Sequence, residues 1–461
     1  MENKNAWVKY PQGSKREEVF CFAEGYRNFI SECKTERECV SAFEEKAKAA
    51  GFVDLAEVIA AGTSLKAGDK VYANNMGKGM ALFVIGKESL EKGMNILGAH
   101  IDSPRLDIKQ KPLYETEGLA LLDTHYYGGI KKYQWTARPM ALHGVVCKTN
   151  GETVNVVIGE DPADPVVGIT EILVHLSADQ MKKSASEVVE GEALDVLVGS
   201  IPKKKEEKDP VKAYILSLLE EKYGMNEDDF MSAELEVVPA GEARDFGLDR
   251  SMIMGYGHDD RVCAYTSMRA ILEMKKPERT SCCILVDKEE IGSMGNTGMQ
   301  SSYFSTIIAR LLDKMGQSSY LDLVTTLENS RMLSSDVSAA FDPMYPGVFE
   351  KKNAAFFGKG ICYNKYTGSR GKSGSSDCNA EYFAKVRRVM ENDKIGYQTC
   401  ELGAVDKGGG GTIAYILANQ NMDVVDAGIA VQNMHAPCEI VSKADVYEAY
   451  NAYKAFLKNM D

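Results

Sequence analysis

The sequence predicts an α/β protein in which a helix-covered, mostly parallel sheet is interrupted by an inserted β-rich segment. Three observations predict it. β-type runs alternate with helical stretches up to about residue 105 and again from about 248, the rhythm of a sheet whose parallel strands are joined through helices. The residues between, 106–247, read as short β-type runs separated by turn residues. Histidines and carboxylates recur where β-type runs stop, and the ligand crevice of an open α/β sheet lies outside the carboxyl ends of its strands. The 461 residues therefore divide into one discontinuous domain, 1–105 with 248–461, and one insertion, 106–247.

The elements follow in order. Val19, Phe22, Ala23, Tyr26, Phe29 and Ile30 recur at helical spacing and predict a first helix with one buried face. Thr35 and Glu38 form a capping-box pattern that opens a second helix, which Gly51 ends. Residues 71–75 and 81–85 flank a Met-Gly-Lys-Gly turn and predict a hairpin, and 95–99 reads as a short buried strand that stops at His100. In the insertion, 145–148 and 154–158 are β-type. The charged stretch 202–210 reads as a solvated loop whose mixed signs cancel. A helix is expected over 211–223 with Ile215, Leu218 and Leu219 on one face. Beyond it, 281–286, 332–334 and 426–431 read as strands. The chain closes in a helix capped by Ser442, with Val446, Tyr450, Tyr453 and Leu457 along one stripe.

Composition narrows the function. Lys and Arg number 54 against 67 Asp and Glu, a formal net charge of −13. That balance argues against nucleic acid and anionic membranes, which demand a basic face, and leaves peptides, small molecules and metal cations. Eleven cysteines, an odd number with no Cys-x-x-Cys pair, suggest neither a disulfide framework nor a thiolate zinc site, and fit a reducing compartment. The first residues are polar and charged, and no apolar run approaches the ~20 residues that span a bilayer, so a cytoplasmic protein is expected.

Six histidines stand at positions 100, 125, 143, 175, 258 and 435. In GAHIDSPRLDIK, His100 and Asp102 share a face of extended backbone, which suits a histidine ligand with a carboxylate fixing its ring. Four further segments have the same build: GYGHDDRVCAY with Asp259 and Asp260, ILVDKEEIGS with Glu289 and Glu290, MLSSDVSAAFDP with Asp336, and VQNMHAPCEI with His435. Two histidines with several carboxylates make an N/O donor set for a pair of divalent ions such as zinc, manganese or cobalt. Glu289 and Glu290 do not suit a glycosidase, because neighbours in extended backbone point to opposite sides. They suit a division of labour in which one binds metal and the other acts as general base.

Other segments invite weaker readings. Glycines 408 to 411 with Thr412 allow backbone to approach a ligand, without the Gly-Lys-Ser/Thr ending of a phosphate loop. The basic stretch 365–377 offers Lys365 or Lys372 to an acidic substrate side chain. His258 reads as structural. His125 and His143 have no assigned role, although HYYGGIKKYQW around His125 has the aromatic and glycine content of a subunit contact.

GAHIDSPRLDIK, GHDDR, DKEEIGS, SSDV and MHAPCEIVSKAD, in this order and across nearly the whole chain, resemble the M18 family of dinuclear metallo-aminopeptidases. The resemblance implies a zinc-peptidase-like catalytic domain interrupted by a dimerisation domain, with dimers assembled into a tetrahedral dodecamer. It implies removal of the N-terminal residue, neutral or acidic, from peptides. It implies two metal ions, zinc first, with Asp260 bridging them, His100 and Asp336 completing one ion's ligands, and Glu290 and His435 the other's. Glu289 is the implied general base, taking a proton from water and delivering it to the leaving amine, and Asp102 is implied to orient His100. His175, in TEILVHLSAD, resembles the histidine that a neighbouring subunit contributes near the substrate carbonyl. The 408–412 loop resembles the one that lines the family's substrate pocket.

Two departures from the aspartyl aminopeptidase branch, Arg261 after Asp260 and Lys288 before the glutamates, draw the sequence toward the aminopeptidase I branch, which prefers neutral residues. Two alternatives remain. An M42-type peptidase shares the metal constellation, and a self-assembling metal-binding shell needs the ligands but not the base Glu289.

Overall fold

The apolar stripe between Val19 and Ile30 is the buried face of helix Ser14–Glu32, and all six of its residues are buried. The second helix, Glu36–Ala49, opens with the expected capping box. Glu38 N–H donates to Thr35 Oγ1 at 3.2 Å and Thr35 N–H to Glu38 Oε2 at 3.0 Å, so two amides that lack helical partners are satisfied. The structure, a computed structural model, describes residues 5–206 and 208–461. Glu207, within the charged 202–210 stretch, lies outside the described residues.

The chain divides into two compact units, one of residues 1–102, 243–434 and 439–461, the other of residues 103–242 and 435–438. The first is built on nine strands. Their spatial order is Val53–Asp54, Lys70–Asn75, Gly79–Val84, Thr280–Val286, Met94–His100, Arg331–Ser334, Asp423–Gly428, Ile361–Asn364 and Tyr397–Thr399. The central strands, from Thr280–Val286 to Asp423–Gly428, are mutually parallel. The expected hairpin adds antiparallel strands on one side, and Ile361–Asn364 pairs antiparallel on the other. Met94–His100 and Thr280–Val286 are buried along their whole length, as strands covered on both faces must be.

Alternation along these strands sorts side chains into two cores. Leu97, Leu285, Leu333 and Val425 pack with the helices Ser14–Glu32, Glu36–Ala49, His258–Leu272, Ala380–Asn392 and Lys443–Asn459. Ile96, Ile284, Met332 and Val424 pack with Leu55–Ala60, Tyr303–Lys314 and Tyr320–Glu328. Each fully buried large apolar side chain, such as Phe43, contributes roughly 1.5–3 kcal/mol.

The run expected over 426–431 is divided. Asp423–Gly428 belongs to the nine-stranded sheet. Ala430–Gln432 joins a second sheet with Arg244–Phe246, Met252–Gly255, Glu439–Ser442 and Ser338–Ala339. The chain changes sheets beside Gly428, where a Cβ would lie 1.7 Å from the Asp336 carbonyl oxygen, so only glycine lets the two backbones pass. Ser442 occupies the N-cap of helix Lys443–Asn459 without a side-chain bond to it, unlike the expected cap. Its backbone is the last paired residue of a strand, opposite Met252.

The second unit holds a six-stranded antiparallel sheet in the order Thr153–Ile158, Met140–Cys147, Ala233–Pro239, Arg105–Thr116, Leu119–Tyr127 and Val196–Gly199. Helix Pro210–Tyr223 forms as expected, but Val211 is its buried residue and Leu218 is 42% exposed, so the predicted apolar face is not core within this chain. Among the described residues no disulfide joins the eleven cysteines, and no helix is long and apolar enough to cross a membrane.

A buried acid closes the C-terminal helix onto the sheet loops. Asp445 accepts from Gly358 N–H at 2.7 Å and Gly360 N–H at 2.8 Å. Burial pushes its carboxyl up from 3.8 to about 7 against these bonds. The folded protein therefore holds a proton that the unfolded chain releases above about pH 4. The stability this group contributes is fully present at low pH and is lost as pH rises through 7, by at most about 1.4 kcal/mol per pH unit. Chemical denaturation of wild type and Asp445→Asn at pH 5 and pH 8 is expected to show wild type losing stability relative to the variant. A difference independent of pH would contradict this.

Candidate metal centre

The strands Thr280–Val286, Met94–His100 and Arg331–Ser334 are parallel neighbours, so their carboxyl ends bring Glu289, Glu290, His100 and Asp336 to one edge of the sheet. His100 is the last residue of its strand. Glu289 and Glu290 open a single helical turn, held between left-handed Lys288 and Gly292. Asp259 and Asp260 begin helix His258–Leu272, and the peptide between them is cis.

His100 is 2% exposed. Its Nδ1 donates to the backbone carbonyl of Asp102 at 3.0 Å, which turns Nε2 toward Asp259 Oδ1 at 3.1 Å and Glu289 Oε2 at 3.9 Å. The Asp102 carboxylate, 3.3 Å from Nδ1, also accepts the backbone N–H of Glu289 and of Glu290, each at 3.2 Å. Asp102 therefore meets the histidine with both its main-chain carbonyl and its carboxylate, and holds the glutamate turn through its side chain.

Ligand atoms of His100, Asp260 and Asp336 lie within 4.8 Å of one another, as do those of His100, Glu289 and Glu290. Asp259 and Glu290 approach within the same distance. The resemblance placed Asp260 between two metals; in this geometry Asp260 groups with His100 and Asp336, and Asp259 is the aspartate that reaches both His100 and Glu290. The spacing of two adjacent aspartates carries no signal that separates them.

Electrostatics favour a cation here. Asp260 is fully buried; its carboxylate meets only the Cys263 thiol and the His100 backbone N–H, and neither oxygen makes a well-formed hydrogen bond among the described residues. Burying an ion unpaired costs several kcal/mol, and burial accordingly pushes its carboxyl well above the ordinary range. Asp336 is raised in the same direction, first by burial, then by the charges of Asp260 and Glu289. Burial would lower the His100 pKa, but hydrogen bonds to Asp102 and Asp259 outweigh it and raise it. Orphaned oxygens beside an imidazole are a donor set that fits zinc or a similar divalent ion.

His435 lies in the second unit. Its backbone is left-handed, φ 64°, and its Nδ1 lies 2.8 Å from the carbonyl of Gly129, in the aromatic, glycine-rich stretch that the sequence left without a role. A donating Nδ1 leaves Nε2 as the ring's ligand position. His175 is exposed in the turn Val174–Leu176, amid exposed Ile172, Leu173, Val174 and Leu176. His258 is buried against Tyr26 Oη at 2.6 Å, and burial pushes it down to about 3, as a structural histidine. His143 pairs with Glu160 at 3.0 Å, and His125 lies 2.9 Å from the Tyr126 carbonyl.

Three further segments have their contacts defined. Lys365 and Lys372 share one exposed carboxylate, Asp377, at 3.3 and 2.8 Å, which leaves one positive charge over. Arg261 is 1% exposed and directed into the interior, while Lys288 binds its neighbour Asp287 at 2.7 Å. Neither departure from the aspartyl branch presents a free side chain to substrate. A Cβ on Gly409 would lie 2.3 Å from the Gly368 carbonyl oxygen, so the 408–412 and 365–377 loops pack closely there.

Comparison with known proteins fixes the class. The family described as "Aminopeptidase I zinc metalloprotease (M18)" matches residues 29–457. A probable M18 family aminopeptidase 1 of Clostridium acetobutylicum is 59% identical over 99% of this chain and 98% of its own length. One of Thermotoga maritima is 44% identical over the full length of both. The crystal structure of aminopeptidase I from Clostridium acetobutylicum superposes with a TM-score of 0.93 at 57% identity, covering 100% of both chains. That of the Thermotoga maritima M18 aminopeptidase gives 0.94 at 43%, covering 99% of each. The chain belongs to the M18 family and is a zinc-type metallo-aminopeptidase, which sets aside both the M42-type and the non-catalytic alternatives.

The raised groups predict proton release on metal binding. A ligand carboxylate must be ionised and a ligand imidazole neutral, and in the metal-free protein Asp260, Asp336 and His100 all hold protons more tightly than usual. Calorimetric zinc titration of metal-free protein at pH 7, in buffers of different ionisation enthalpy, is expected to show net proton release, and affinity is expected to fall as pH is lowered. Binding without proton release would contradict the account.

Proposed function

We propose that this aminopeptidase removes a neutral N-terminal residue from peptides with two divalent ions, zinc most readily. His100 and Asp336 hold one ion, and Glu290 and His435 the other. Asp259 is the shared carboxylate in place of Asp260, supported by its proximity to both His100 and Glu290. The observation that carries the two-ion reading is that the candidate ligands form two groups with His100, one with Asp260 and Asp336 and one with Glu289 and Glu290, each within 4.8 Å: so much carboxylate removed from water is compatible with folding when dications balance it. Bound there, the ions supply the charge that acidifies water and polarises the scissile carbonyl.

Glu289 then has a separate task. Its side chain is 17% exposed, open enough to meet substrate, and its backbone N–H is held by Asp102. It takes the proton of the attacking water on a carboxylate oxygen and returns it to the leaving amine, so the peptide bond breaks with no net change at Glu289. Asp102 positions both the base and His100. Preference for a neutral residue is supported by Arg261 and Lys288, the two departures from the aspartyl branch.

His175 acts in a neighbouring subunit's site, supported by the exposed apolar run around it. The assembly is a tetrahedral dodecamer built from dimers; a yeast mApe1 structure, 21% identical with a TM-score of 0.76 over 96% of this chain and 98% of that one, is a dodecamer. An odd number of cysteines, eleven, scattered along the sequence supports a cytoplasmic location.

Glu289→Gln is expected to lose about 10²–10⁴-fold in kcat while still binding both ions; normal turnover with both ions bound would refute the base assignment. Across aminoacyl amides, leucine-type substrates are expected to exceed aspartyl ones by roughly tenfold or more in kcat/KM. Faster aspartyl hydrolysis would refute the neutral preference.

A further inference from the structure

Arg261 is among the largest fully buried side chains of the protein. Main-chain oxygens from three places in the sequence accept from its guanidinium. Nε donates to the Ile101 carbonyl at 3.3 Å, Nη1 to those of Cys33 at 3.3 Å and Tyr256 at 3.4 Å, and Nη2 to that of Lys34 at 2.8 Å. The group also lies 4.9 Å over the Tyr256 ring.

The acceptors are informative. Ile101 stands between His100 and Asp102, the residue whose carbonyl orients the histidine and whose carboxylate holds the glutamate turn. Arg261 itself follows Asp259 and Asp260 on helix His258–Leu272. Tyr256 precedes the left-handed Gly257 that turns the chain into that helix. Cys33 and Lys34 connect the first two helices. One planar group therefore ties the strand end that carries the histidine ligand to the helix start that carries the aspartates, with the helical connection as a third anchor.

We infer that Arg261 is a positioning residue of the metal centre, setting the spacing between His100 and the Asp259–Asp260 pair. The inference rests on the metal reading above. A guanidinium presents donors in a fixed fork and stays charged, which suits several carbonyls converging on one plane. An ammonium is a compact charge on a flexible stem and does not reproduce that fork. Ligand spacing is thus held from the main chain, by a residue that touches neither ion nor substrate.

The test is zinc binding by Arg261→Lys, read apart from turnover. Metal-free wild type and variant are compared by circular dichroism and thermal unfolding, then titrated with zinc against a competing chelator. The variant is expected to keep wild-type secondary structure and to bind zinc about 10–100-fold more weakly. The zinc concentration for half-maximal activity should rise by the same factor, while KM at saturating zinc stays within twofold. Zinc affinity within twofold of wild type in a folded variant overturns the inference. If Arg261→Lys does not fold, Arg261→Ala is purified with millimolar guanidinium. Zinc affinity that rises with guanidinium but not with ammonium supports the inference, and affinity indifferent to guanidinium overturns it. Wild type that binds no zinc would instead refute the metal reading itself.

Discussion

Buried negative charge at the ends of adjacent parallel strands is the constraint on which this structure depends. Asp260 and Asp336 are buried beside His100, so as carboxylates they need a cation, and without one they hold protons. The fold supports that unfavourable cluster by packing both faces of the sheet. Leu97 and Ile96, consecutive in the strand that ends at His100, enter opposite cores, so the imidazole sits on a strand fixed from both sides. Rigidity on this scale lets ligands wait at short distances from one another instead of spreading into solvent.

Main-chain atoms do much of the positioning. His100 is turned by the Asp102 carbonyl, His435 by the Gly129 carbonyl, the glutamate turn by its own N–H groups on Asp102, and the strand end by carbonyls that converge on Arg261. A backbone contact depends on where the chain runs and tolerates many sequences, whereas the ligand atoms themselves admit few residue types. Glycine enters where two main chains must nearly touch, as at Gly428 against Asp336.

That division explains what was legible in the sequence. The amphipathic stripe of Val19 to Ile30, the Thr35–Glu38 box and the strand ending at His100 follow local rules of period and capping, and each formed as read. The residue types at the site were legible because chemistry restricts them. Which of two adjacent aspartates also approaches Glu290 was not, since both stand beside His100 and their sequence spacing does not separate them. The run 426–431 looks continuous because β propensity does not report a change of sheet. That Lys365 and Lys372 share Asp377 was not legible because it lies twelve and five residues away in a loop without periodicity. The Gly129 carbonyl left no trace in side-chain patterns beyond the glycines themselves.

The central claim is that these strand ends hold two ions shared through Asp259. Anomalous diffraction at the zinc edge from crystals of the zinc-loaded protein tests it most directly. The account predicts two peaks in each chain, one bonded to Nε2 of His100 and both bonded to the Asp259 carboxylate. A single peak, or peaks that leave His100 and Asp259 without a metal, would contradict it.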